Sequence, residues 1–321
     1  MKGSNKDKIN SLLLFTASVF GGLHLINRFI KRRSLETGLL KDGSGTFYNW
    51  KYGNVYYRVS GSGEEPVLLI HALSEISGSF EWDPVVKKLE NDFRVYTIDL
   101  PGCCRSDKPA MEYTNYLYVT LISDFIRDVI GSPAKIVADN LSCSFALTAG
   151  LLQPSQIQKI VLIDPPSPEE MKLVPTRRSV FVRRLMSLPI VGECLYNIIT
   201  SRSNIEYLLR EIIYHNPFKV DRKTMELFHE SAHAGNGSGR FLRASIDGRL
   251  INWDVTRAAC HVSQDVCLIS SDHRREAQDI LQAYLDLCPK AKAEIIHSSG
   301  KLPQYEKPDQ FCRVLISFLQ D

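Results

Sequence analysis

Short apolar runs alternate with segments of helical period along most of the chain. Runs at 66–71, 93–99, 135–139, 157–164, 265–270 and 293–297 are continuous and rich in Val, Ile and Leu. Such runs read as strands buried on both faces of a parallel sheet, because a half-exposed strand would alternate apolar and polar residues. Between them, 82–89, 116–130, 145–152, 277–287 and 308–319 repeat apolar residues at helical spacing. Strands alternating with helices predict βαβ units and a mostly parallel, doubly wound α/β sheet. Residues 54–60 alternate weakly and end at Gly61-Ser-Gly63, a hairpin signal.

Two stretches break the rhythm. Residues 166–250 are helical in pattern, rich in Arg and punctuated by Pro175, Pro189 and Pro217. They are expected to form a helical cap inserted over the strand ends, which leaves 51–165 and 251–321 as the α/β core. The other stretch is 9–27, which is mostly apolar and flanked by Lys2, Lys6 and Lys8 before it and by Arg28, Lys31, Arg32 and Arg33 after it. A membrane-crossing helix needs about 20 mostly apolar residues. Residues 1–33 are therefore expected to be an N-terminal membrane helix, weakened at its ends by Asn10, His24 and Asn27. No small-x-small cleavage site follows the apolar core, which argues against a removed signal peptide. The denser basic cluster after the segment places the domain on the cytoplasmic side of the cell membrane. Residues 34–50, with Gly38, Gly43 and Gly45, read as a polar linker.

Composition adds little to this. The apolar and charged fractions, 44% and 23%, are ordinary for a globular domain, and a formal charge of +3 gives no reason to expect a nucleic-acid partner. The eight cysteines have no C-x-x-C pair and no disulfide-like spacing, so they read as free thiols in apolar surroundings.

Four stretches carry the candidate chemistry. Leu68-Leu-Ile-His-Ala72 ends a strand. Asp99-Leu-Pro-Gly-Cys-Cys-Arg-Ser-Asp-Lys-Pro109 follows the next. Lys135-Ile-Val-Ala-Asp-Asn-Leu-Ser-Cys-Ser-Phe-Ala-Leu147 passes from strand through a turn of small and polar residues into a helix. Gly300-Lys-Leu-Pro-Gln-Tyr-Glu-Lys-Pro308 follows the last strand. Together these resemble the α/β-hydrolase superfamily over residues 50–321. The first is similar to its His-Gly strand end, the second to its Asp-Leu-Pro-Gly-x-Gly-x-Ser-Asp-x-Pro loop, and the third to its nucleophile elbow. The fourth is similar to the Gly-His-x-Pro-x-x-Glu-x-Pro segment that carries the catalytic histidine.

That resemblance implies a Ser-His-Asp triad, and the residues depart from it. Serine acyl transfer needs a hydroxyl in a strained turn, an imidazole to take its proton and a carboxylate to orient the imidazole. Read in the register Ala138-Asp-Asn140-Leu-Ser142, the elbow has small flanks but Asn140 at the nucleophile position. Asparagine tolerates the positive φ required there. The register Asn140-Leu-Ser142-Cys-Ser144 restores a hydroxyl at Ser142, but puts Asn140 where glycine is usual and shortens the following helix. Lys301 stands at the histidine position, and His297 lies four residues earlier. The acid is Asp272, after the 265–270 strand, with Asp164 as an alternative position. Ser142 with Lys301 is a chemically possible pair if burial lowers the lysine pKa. The oxyanion and pocket group would comprise Ala72, Leu73, Asn140 and Leu141, with Ala72 in place of the usual glycine.

His229-Glu-Ser-Ala-His233 fits the zinc pattern H-E-x-x-H. It lacks an extension to a third ligand and reads as a polar helix face, so no metal and no cofactor is expected. The sequence therefore suggests a membrane-anchored α/β-hydrolase-fold protein that lacks the standard triad and keeps a capped pocket for a small apolar or acyl ligand. The alternative is a hydrolase of an ester or lipid-like acyl substrate using Ser142, Lys301 and Asp272.

Overall fold

A computed structural model describes residues 3–41, 44–235, 237–273 and 276–321. Lys2 and Gly43 lie outside the described residues. The eight strands are β1 Thr46–Trp50, β2 Gly53–Ser60, β3 Pro66–Ile70, β4 Arg94–Ile98, β5 Ala134–Asp139, β6 Ile157–Ile163, β7 Asp265–Ser271 and β8 Lys292–Ile296. They form one sheet in the order β1-β2-β4-β3-β5-β6-β7-β8. The pairs β1–β2 and β2–β4 are antiparallel, and all pairs from β4 to β8 are parallel.

The expected parallel strands all form, and the period of two explains their burial. In β3, Leu68 and Ile70 face one core and Val67 and Leu69 the other. On the first face pack α3 (Asn115–Phe125), α4 (Ser142–Leu152), α11 (Thr256–His261) and α12 (Ala277–Leu287). The second face is covered by α2 (Asp83–Leu89) and α14 (Pro308–Gln320).

Two features of the first 60 residues differ from expectation. The polar linker contains a strand: β1 pairs with β2 through a tight connection at Lys51 and Tyr52. The hairpin therefore precedes β2, and after Gly61-Ser-Gly63 the chain crosses to β3, which β2 does not touch. Gly61 and Gly63 fit there because a Cβ on either would lie 2.3 Å from a backbone carbonyl oxygen of the 90–93 turn.

The second difference concerns the N-terminus. A single helix, α1, spans Gly3–Ser34. Among the described residues no helix is long and apolar enough to cross a membrane, and the expected membrane-crossing segment lies in a helix that packs in part on the helices Val191–Ile199 and Arg222–His233 of the domain. The polar residue that weakened the pattern is a protein contact. Asn27 is buried, donates Nδ2 to Ile190 O (3.3 Å) and accepts from Asn197 Nδ2 (2.9 Å). On its other side α1 leaves Phe15, Val19, Ile26 and Phe29 exposed at helical spacing.

The inserted helices are α5 (Pro168–Met171), α6 (Arg177–Ser187), α7 (Val191–Ile199), α8 (Arg202–Tyr207), α9 (Arg222–His233) and α10 (Gly239–Asp247). They connect β6 to β7, and Leu209 and Phe228 of this insertion pack with Ile76, Phe80 and Leu302 from outside it in one apolar cluster. The remaining short helix, α13 (Pro303–Glu306), precedes α14.

Candidate functional site

The strand β5 enters the turn at Asp139 and the helix α4 leaves it at Ser142. Between them Asn140 adopts φ 51°, the left-handed region. Ala138 and Ser142, its neighbours at two residues' distance, are fully buried, which is why both must be small. Asn140 N–H donates to Ile163 O (2.8 Å), so the tip is fixed to the end of β6.

The Asn140 side chain folds onto its own turn. Its Oδ1 accepts from Leu141 N–H at 2.9 Å, and Nδ2 reaches Asp164 O at 3.5 Å. Leu141 belongs to the oxyanion and pocket group named from sequence. A carboxamide oxygen already sits on its amide, in the role that a developing oxyanion would otherwise fill. Leu73 is buried close by in the chain after β3, and His71 Nδ1 donates to Ala72 O (2.7 Å).

Ser142 is elsewhere. It is the first residue of α4, it has no exposure, and its Oγ donates to His71 O at 2.7 Å. The hydroxyl ties the helix start to the end of β3.

Asp164 is brought to the same place from the end of β6. It has φ 41°, is buried, and is held through Oδ1 by Ser270 Oγ (2.6 Å) and Ser271 N–H (3.0 Å), and through Oδ2 by Ser271 Oγ (2.9 Å). Three donors fix the carboxylate in one orientation. Asn140, Asp164 and Lys301 line one cavity of about 450 Å³. Its cap side brings Glu170, Asp247 and Arg249, none of which a sequence motif marks. The backbone of Lys301 is held by its N–H on Ile213 O (2.7 Å). The preceding Gly300 is required there, because a Cβ would lie 2.0 Å from Ile213 O.

Asp272 is not among the residues lining that cavity. It lies on the loop after β7, half-exposed, and accepts from Ser298 N–H (3.0 Å). Its other partner is His297 Nδ1 at 3.3 Å, on an exposed ring. The sequence candidates thus divide into two groups: Asn140, Leu141 and Lys301 meet around Asp164, whereas Asp272 meets His297 at the surface.

Beneath the turn lies a buried acidic layer. Asp139 accepts from Gln304 Nε2 (2.8 Å). Burial, with Glu81 and Asp164 nearby, pushes its carboxyl well above the usual range. Burial likewise raises Glu81 to about 8. Asp99 behaves oppositely. Burial opposes its charge, but Arg105 Nε at 2.8 Å holds it at about 2. His71 is fully buried and accepts from Leu100 N–H on Nε2 (3.0 Å). Burial lowers its pKa, so it stays neutral.

The glutamate of the H-E-x-x-H stretch in α9 is used structurally. Glu230 receives Thr37 Oγ1 (2.9 Å), Leu39 N–H (2.8 Å) and Leu40 N–H (3.3 Å), clamping the segment after α1. Among the described residues no group of three His, Cys, Asp or Glu side chains is placed to hold a metal ion.

Comparison with known proteins agrees with this geometry. Residues 65–186 match the family model described as alpha/beta hydrolase fold. The chain has the α/β-hydrolase fold. A serine hydrolase involved in carbazole degradation superposes with a TM-score of 0.70 at 19% identity, over 86% of this chain and 98% of its own. A membrane phospholipase A, described as a bacterial virulence factor, gives 0.69 at 18% identity over 98% of both chains. An uncharacterized protein of Mycobacterium tuberculosis is 24% identical over 277 residues, 82% of this chain and 77% of its own. Within this α/β-hydrolase fold, Asn140 occupies the elbow and Lys301 the loop after the last strand.

Proposed function

We propose that this α/β-hydrolase-fold protein is not a standard serine hydrolase and uses its capped cavity to bind a small ligand. One observation carries the reading. At the elbow tip Asn140 presents a carboxamide, and its own oxygen occupies the Leu141 amide. An asparagine cannot act as the serine of a triad. A filled oxyanion position also opposes tetrahedral chemistry, because the donor would have to exchange partners as charge develops. Lys301 in the same cavity supplies a cation where the triad needs a neutral imidazole base.

The ligand expected from sequence was apolar or acyl. The cavity favours a polar one: Asp164, Glu170, Asp247, Arg249 and Lys301 all line it, and such groups hold ligands carrying charges or several hydrogen-bonding atoms. The alternative of a Ser142-dependent hydrolase finds less support, since Ser142 Oγ is buried and committed to His71 O.

We further propose attachment to the cell membrane through α1, with the domain on the cytoplasmic side. The exposed apolar stripe of α1 supports this. So does the 98% overlap with the membrane phospholipase A, which is long enough to include α1.

The test is a fluorophosphonate probe applied to the folded full chain, together with hydrolysis of p-nitrophenyl butyrate. No labelling and no turnover are expected. Labelling that Ser142→Ala abolishes would overturn the reading.

A further inference from the structure

A second cavity, of about 510 Å³, opens on the seam between α1 and the cap. His229 and His233, one turn apart on α9, form part of its lining. Phe29, Ile30 and Arg33 of α1 face them across the seam, and Arg202 and Ser203 of α8 lie at the side. The strand-end cavity shares none of these residues.

His229 is the unusual group. It is only 4% exposed, yet its Nδ1 has no hydrogen-bond partner. Buried ring nitrogens are ordinarily paired, so an unpaired one calls for an explanation. His233 beside it (ring centroids 4.5 Å apart) is satisfied: Nδ1 meets His229 O at 2.9 Å and Nε2 meets Thr200 Oγ1 at 3.4 Å. The pair therefore does not offer two nitrogens to a metal. Burial, then the nearby His233 and Arg202, hold His229 at about 3, so it is a neutral imidazole whose Nδ1 still lacks a hydrogen bond.

Around this nitrogen the seam has two characters. At one end Arg33 is exposed, and the Arg202 side chain is 45% exposed with one Nη on Glu226 Oε2 (2.9 Å). A guanidinium has five N–H donors, so that single ion pair does not exhaust it. At the other end Ile30 and exposed Phe29 are apolar, and Phe29 continues the exposed stripe through Ile26 and Val19. A cationic end joined to an apolar track fits a molecule with one charged head and one chain.

We propose that this seam binds an amphiphile with an anionic carboxylate or phosphate head. The head lies against Arg33 and Arg202, His229 contributes a hydrogen bond, and the acyl chain runs along Ile30 and Phe29. The head could belong to a membrane lipid or to a free amphiphile, and the two are separable by experiment.

The test is calorimetric titration of the full chain with dodecyl phosphate, with dodecanol and inorganic phosphate as half-molecule controls. Saturable binding of dodecyl phosphate is expected, and roughly tenfold or more weaker binding of each half. Arg202→Gln and His229→Phe should each weaken it by roughly tenfold. Ile30→Trp, which removes no buried polar group, should block the cleft, and circular dichroism with thermal melting verifies that each variant is folded. Absence of saturable binding overturns the proposal. So does equal binding of dodecanol, or affinity in the folded Arg202→Gln and Ile30→Trp variants within about twofold of the parent. If Arg202→Gln also lowers flotation on phosphatidylglycerol vesicles, the head is that of a membrane lipid. If flotation is unchanged while dodecyl phosphate binding falls, the ligand is a free amphiphile. Both outcomes support the site.

Discussion

The loops after β3 and β4 and the loops after β5 and β8 meet at the same sheet edge, yet they differ in what they preserve. After β3 and β4, His71, Asp99, Arg105 and Ser106 form a closed polar network. His71 Nε2 takes Leu100 N–H, Asp99 takes Arg105 Nε and Ser79 N–H, and Ser106 Oγ donates to Asp99 O. His71, Asp99 and Ser106 match the motifs that these loops resemble, and Arg105 stands at a variable place within one of them. After β5 and β8, Asn140 stands at the tip of the turn with φ 51° and Lys301 is held by its backbone in the loop after the last strand; on the function proposed above, the backbone frame is kept there and the reactive groups are not. Scaffold and chemistry have separate requirements. The first network stabilises the fold whatever the protein does, because buried polar groups must be paired. On the proposed binding function, the second positions answer to shape and ligand and not to acyl transfer.

Breaking the first network should have the largest effect. Arg105→Ala leaves Asp99 buried without its cation and should cost about 3–5 kcal/mol of stability, read from the denaturant midpoint. Asn140→Ala at the other loop should cost far less; a comparable loss there would end the contrast. The Asp99 pair also sets an acid limit. Because the folded pKa is depressed to about 2, its contribution is present above the unfolded value of about 3.9 and is lost as pH falls towards 2.

Glu81 tests the acidic layer beneath the elbow. Its folded pKa is raised to about 8, so the folded state holds a proton that the unfolded chain has lost. Stability should therefore fall as pH rises from about 4.5 to about 8, by up to about 1.4 kcal/mol per pH unit. Glu81→Gln should flatten that slope in pH-dependent denaturation. An unchanged slope would remove Glu81 as its cause.

Smaller still is Ser142→Ala, which deletes the bond to His71 O and should cost about 1 kcal/mol without altering fluorophosphonate labelling. Asn140→Gly should be the mildest change, within about 1 kcal/mol of the parent, since glycine accepts positive φ freely. Its informative readout is the Leu141 amide, whose NMR shift should move once Asn140 Oδ1 is gone. A strong loss of stability would mean that the carboxamide, not the turn, holds the elbow.

Most of the fold was legible because buried parallel strands and packed helices leave periodic apolar runs. The run 66–71 needs no partner to be recognised. β1 was missed because an edge strand such as Thr46–Trp50 is exposed on one side and need not be apolar. The site was legible only in part. Asn140 and Lys301 stood out because both depart from the motifs that their stretches resemble. Asp164 could be named as an alternative, but its three donors come from Ser270 and Ser271 on another strand.

The sequence by itself determined the strands of the sheet, the inserted helical stretch and the motifs in which Asn140 and Lys301 lie, because each is written in local pattern. Tertiary structure alone decided which side chain stands at the elbow, which carboxylate joins it and what α1 touches. Those outcomes depend on backbone dihedrals and on contacts between distant segments, such as Ser142 with His71, Asn27 with Asn197, and Leu39 with Glu230. No local periodicity records a hydrogen bond across 190 residues of chain, as from Leu40 to Glu230.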